Sequence, residues 1–131
     1  MKNKNLYLSI LAAALALGGA RCAIAPASPE AKRVRLVTDN RQSEAYRSPG
    51  ARVEYVRYNS MPSYLRENGC GSTPYAVVPY GRGFYAGSGS SIVVSQKNEL
   101  KNKIHAKGAN LGWLEGRYPK KAKVYQCSKF K

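Results

Sequence analysis

An uncharged apolar run at residues 6–20, LYLSILAAALALGGA, sets the terms for everything after it. Lys2 and Lys4 precede it and small side chains close it, which is the layout of a secretory signal peptide. At about fifteen residues it falls short of the roughly twenty that a membrane-spanning helix needs. A buried core helix is the competing reading, and the terminal position, basic flank and small-residue exit all weigh against it. The chain to be folded is therefore the remainder, about 100 residues beyond the inner membrane, where thiols oxidise and the core is modest.

The leader can end in two ways. Cys22 follows Gly18, Gly19, Ala20 and Arg21, and small residues before a Cys fit a lipoprotein signal in which Cys22 takes the lipid. Arg21 departs from that pattern, because the processing site prefers a small side chain there. Ordinary cleavage after Ala20 competes, whereas cleavage after Ala25 would leave Pro26 next to the scissile bond. The favoured reading is lipidation at Cys22. It divides the chain into a signal peptide at residues 1–21, a flexible Ala- and Pro-rich tether at 22–32 (CAIAPASPEAK) and one domain at 33–131.

The chain has three cysteines. If Cys22 carries lipid, Cys70 and Cys127 are left to pair; two unpaired thiols are the alternative. The bond would close a long loop, and the chain-entropy relation then gives a stabilisation of about 4 kcal/mol.

Alternation marks the strands. In RVRLVTDN, Val34, Leu36 and Thr38 share one face and Arg35 and Val37 the other; ARVEYVRY repeats the pattern. A short strand at 75–78 is expected to stop at Pro79, and further strands are expected around Leu111–Leu114 and at 122–127. One helix is expected over 96–107, capped by Ser95. Leu100 and Ile104 lie on its buried stripe, Glu99 pairs with Lys103 at i,i+4, and Gly108 ends it with Ala109 packed back on Ile104. Between the strands, Pro62, Gly69, Gly71 and Pro74 break up the middle of the chain. GRGFYAGSGSS at 81–91 reads as a mobile loop with Arg82, Phe84 and Tyr85 at its tip. The expected fold is α+β: a small antiparallel sheet of about four to five strands with one helix packed on a face.

Charge narrows the function. Removing Lys2, Lys4 and Arg21 with the leader leaves 19 basic against 7 acidic residues, a net charge of +12. Such a domain attracts polyanions, and in the envelope these are anionic lipid headgroups, lipopolysaccharide phosphates or acidic glycans. A solvated basic surface with no partner weighs equally. The cations expected to contribute are Lys101, Lys103 and Lys107 on the helix, and Arg117, Lys120, Lys121 and Lys123 near the C-terminus. Tyr55, Arg57, Tyr58, Tyr64 and Arg66 interleave as a nucleic-acid groove would, but export directs the chain away from nucleic acid.

Catalysis finds little support. His105, the only histidine, sits where a cation suits a helix C-terminus, and Asp39, the only aspartate, sits in a turn with no nucleophile motif to serve. No zinc-ligand spacing and no paired carboxylates for glycoside cleavage are recognisable. The expectation is a non-enzymatic envelope protein without cofactor, either an outer-membrane lipoprotein held by a lipid anchor or a periplasmic protein, contacting anionic components or an envelope protein. An exported polyanion or nucleic-acid binder is the second class, and an enzyme of unrecognised type the third.

ELKNKIHAKGANLGWL at 99–114 resembles the helix-Gly-Ala-Asn-strand segment of small bacterial envelope lipoproteins related to RcsF, the outer-membrane stress sensor. RVRLVTDN and the closing VYQC agree with the same family. With the leader, the resemblance covers about half of the chain in separate pieces. It implies an envelope location, a small α+β fold and a role in envelope monitoring or structure, and no catalytic residue. The cysteine at the start of those proteins' second strand has no counterpart in GARVEYVRYN, so their disulfide geometry does not transfer to Cys70.

Overall fold

The computed structural model describes residues 26–81 and 89–130. Cys22 and the leader lie outside them, as do Arg82, Phe84 and Tyr85. Alternating segments form five strands: β1 (Arg35–Thr38), β2 (Val53–Tyr55), β3 (Ala76–Pro79), β4 (Leu111–Leu114) and β5 (Lys121–Tyr125). They join one sheet in the order β2-β1-β4-β5-β3. The α+β architecture with a helix on the sheet is as expected, but the sheet is mixed. β5 runs antiparallel to β4 and β3, while β1 runs parallel to both β2 and β4. Parallel neighbours need long crossovers. The first is supplied by the segment carrying a single helical turn, α1 (Glu44–Arg47). Pro79 is tolerated because β3 is an edge strand.

One face of the sheet carries Leu36, Val53, Val78, Leu114, Ala122 and Val124, and Leu100 and Ile104 of the long helix α3 (Gly89–Ala106) pack on it. Gly112 lies between them. A Cβ there would stand 2.5 Å from Ile104 Cδ1 and 3.1 Å from Leu36 Cδ2, so only glycine lets the helix sit this close. The helix starts well before residue 96: Ile92–Val94 are helical and Ser95, expected as its cap, is buried inside it. Val93, Lys97, Leu100 and Ile104, all buried, extend the apolar stripe backwards by nearly two turns, and that packing overrides the weak helix propensity of Gly, Ser and Val. Lys97 is 1% exposed; its ammonium donates to the Ser48 and Pro49 carbonyls at 2.8 and 3.2 Å, pinning the turn before β2. Burial lowers its pKa, against a smaller opposing effect of Glu44.

The end of α3 follows the expected design. Gly108 (φ +79°) donates to His105 O and Ala109 donates to Ile104 O, a Schellman closure with Ala109 buried beside Ile104. Asn110 then clamps the start of β4 to the end of β5, donating to Cys127 O at 2.9 Å and accepting from Cys127 N at 2.7 Å. The described part of the expected tether, 26–32, lies against α3. Asn102 holds Pro26 O and Ser28 N, and Ala27 and Ala31 are buried. The ordered domain therefore begins ahead of Arg33.

The other face of the sheet carries Val37, Leu111, Trp113 and Tyr125. It is covered by a short helix, α2 (Met61–Glu67), through Met61 and Leu65. Its sequence reads as irregular because of Pro62, yet that proline sits in the first turn, where its missing N–H costs nothing. The chain leaves α2 through Gly69 into Cys70, and a Cys70–Cys127 disulfide fixes the segment to the end of β5.

Candidate functional site: a half-covered sheet face

A helix of seven residues is about 10 Å long, whereas five strands span about 19 Å. α2 therefore cannot cover the second face, and the strand register decides what is left open. Trp113 of β4 stands opposite Lys123 of β5, which stands opposite Val77 of β3. Val77 is 51% exposed. Beside this row lies a groove of about 630 Å³. Trp113, Lys123 and Tyr125 line it from the sheet, Met61, Leu65 and Arg66 from α2, and Gly71, Ser72 and Pro74 from the loop after Cys70.

Three features define the groove chemically. Trp113 is only 8% exposed, yet its indole Nε1 is buried without a hydrogen-bond partner among the described residues. Tyr58, largely exposed, tilts over it with ring centroids 5.9 Å apart. Lys123 places its ammonium 5.0 Å from the indole centroid and hydrogen-bonds Glu115, the contact that raises its pKa most. Burial raises that of Tyr125. Arg66 is exposed and forms no ion pair among the described residues; it donates a long hydrogen bond to Ser63 Oγ at 3.4 Å. The site is an apolar trough with one unneutralised cation at its rim.

A second cleft lies by Tyr80, between Gln96, Glu99 and Lys103 of α3 and Lys120. Burial, then the nearby Glu44 carboxylate, push the Tyr80 hydroxyl up to about 12. In the unfolded chain it ionises near 10.0. The neutral phenol thus favours the fold fully below pH 10, and that advantage is lost as pH rises through 10 toward 12. Tyr80→Phe is expected to match the parent's urea midpoint at neutral pH and to lose less of it at about pH 11. Equal alkaline loss in both proteins would remove Tyr80 as a cause.

The seven expected anion-binding cations do not form one patch. Lys101 and Lys103 ride on α3 with Lys107 just past its end, while Lys121 and Lys123 project from the opposite face of the sheet by strand alternation. Lys101 donates to Lys32 O at 3.2 Å and its pKa is lowered by burial. Lys103 pairs with Glu99 at 3.1 Å, as expected. Lys107 is exposed beyond the helix end, and Lys120 faces Lys103 across the Tyr80 cleft. Arg117 lies 5.4 Å from the Tyr118 ring.

The interleaved aromatic set divides as well. Tyr58 and Arg66 line the groove, whereas Tyr55 packs against Tyr46 and Arg41. Sequence reasoning missed Met61, Leu65 and Trp113 as groove residues; the available signal was that Trp113 is the sole tryptophan and sits in an expected strand. Asp39 accepts the Gly116 N–H at 2.9 Å, tying the end of β1 to the turn after β4. His105 is exposed in the last turn of α3. No group of three or more metal-ligating side chains occurs among the described residues, and no described helix is long and apolar enough to cross a membrane.

What fold and site define together is a small, basic α+β domain with a half-open apolar groove. Comparison of the chain with protein-family models, with curated proteins and with solved structures found no match.

Proposed function

We propose that this chain is a non-enzymatic envelope protein, exported and lipidated at Cys22, whose basic domain contacts anionic envelope components. The lipidated form would sit at the outer membrane, and an envelope-monitoring role like that of the RcsF relatives belongs to the same reading. One observation carries it: the excess of cations is left unneutralised. Two ion pairs form among the described residues, Lys103–Glu99 and Lys123–Glu115. Arg33, Arg47, Arg52, Arg57, Lys107 and Lys120 are exposed with no carboxylate partner there. A surface this rich in free ammonium and guanidinium groups favours a polyanionic neighbour. Nucleic acid is less well served by the interleaved set, because Tyr55 is engaged with Tyr46 and Arg41 within the domain.

The test is co-sedimentation with vesicles. Binding to anionic vesicles and not to zwitterionic ones is expected, weakening steeply as salt rises from about 50 to about 200 mM. Equal binding to both kinds of vesicle would overturn the reading, and so would tighter binding to single-stranded DNA at matched salt. Intact mass of the membrane fraction addresses the anchor: a diacylglyceryl adduct on Cys22 is expected, and a mature N-terminus at Arg21 contradicts it.

A further inference from the structure

We infer that the groove beside Trp113 is a binding site for a long-chain carboxylate, with the acyl chain over Trp113, Met61 and Leu65 and the head group at Arg66. This deepens the envelope reading and rests on it for access to lipid, but it concerns a discrete pocket rather than the diffuse basic surface. At about 630 Å³ the groove falls in the range of sites that hold one small ligand. Its lining is largely apolar and aromatic, with polar groups confined to a few positions.

Charge complementarity sets the head group. Arg66 and Lys123 both line the groove, and Glu115 neutralises Lys123, which leaves one positive charge to be matched. A single carboxylate matches it, and the planar guanidinium of Arg66 suits carboxylate geometry.

An acyl chain fits better than a polypeptide for a physical reason. The groove lies over the face of the sheet, where the backbone groups of β4 and β5 are already used in their shared ladder. A peptide laid there would bury amides with nothing to bond them, whereas methylenes carry no such groups.

Trp113 is the only tryptophan in the chain, so its emission reports on the groove alone. The experiment titrates the purified protein with dibrominated stearate, whose bromines quench an indole they touch, below its micelle concentration. Saturable quenching at one ligand per chain is expected, with oleate displacing the probe and oleyl alcohol at least about tenfold weaker. Arg66→Glu should weaken binding by at least about tenfold. Ser72→Phe, which adds bulk at an exposed position of the lining, should abolish quenching while its circular dichroism matches the parent. No quenching, equal affinity for oleyl alcohol, or undiminished quenching in a folded Ser72→Phe protein would each overturn the proposal. Displacement of the probe by an acidic peptide as readily as by oleate would do the same. Ser72→Phe should still sediment with anionic vesicles. Vesicle binding without quenching therefore defeats the groove alone, and quenching without vesicle binding defeats the surface reading alone.

Discussion

Replacing Cys70 and Cys127 together with alanine is expected to lower the stability of the domain by about 4 kcal/mol. The two residues are 57 positions apart, and opening so long a loop releases most of the unfolded-chain entropy that a single cross-link restrains. Against a typical domain stability of about 5–15 kcal/mol the loss is large. Urea denaturation of the oxidised parent and of the variant gives the difference directly. The parent treated with dithiothreitol should approach the variant's midpoint. The groove should suffer too, because the bond holds the α2 segment on the sheet, and with it the wall formed by Leu65 and Arg66. A difference below about 1 kcal/mol would mean that the unfolded chain is already restrained in some other way.

Ile104→Ala is expected to cost about 2–5 kcal/mol. Its side chain is fully buried between α3 and the sheet, with the α-carbon of Gly112 beneath its tip. The same contact makes a sharper prediction. Gly112→Ala alone should cost about 1–3 kcal/mol, since the new methyl stands 2.5 Å from Ile104 Cδ1. Ile104→Val removes that very atom. In the Ile104→Val background, Gly112→Ala should therefore cost less than it does in the parent, and a double-mutant cycle from thermal or urea unfolding measures the coupling. Strict additivity would show that helix and sheet separate to admit the methyl instead.

What was legible in the residues was local. Gly108, Ala109 and Ile104 announce the helix end because the closure needs only a left-handed residue and an apolar contact a few positions apart. The faces of β1 and β2 were readable from alternation for a similar reason. Alternation says which face a side chain takes and is silent on which strand lies alongside, so the parallel setting of β1 between β2 and β4 was hidden. The first turns of α3 were hidden by composition: Gly-Ser-Ser-Ile-Val-Val suits a loop and a strand, and it is helical because Val93 and Lys97 are buried in line with Leu100. The seven cations were legible as charge but not as a patch, because a sheet that separates α3 from Lys121 and Lys123 is a tertiary fact. The groove was least visible of all. Met61 and Trp113 are far apart in sequence, and only the shortness of α2 against the width of the sheet leaves room between them.

The parallel pairing of β1 with β4 also dictates an order of events. Arg35 finds its partner at Leu111, 76 positions later, and the cross-link waits on Cys127 near the end of the chain. A polypeptide delivered N-terminus first must hold the β4 side of RLVT unpaired until residues 111–114 have emerged. β1 is thus an interior strand that arrives first and keeps one edge open until β4 follows, which makes early-stage protection from self-association a requirement of this topology.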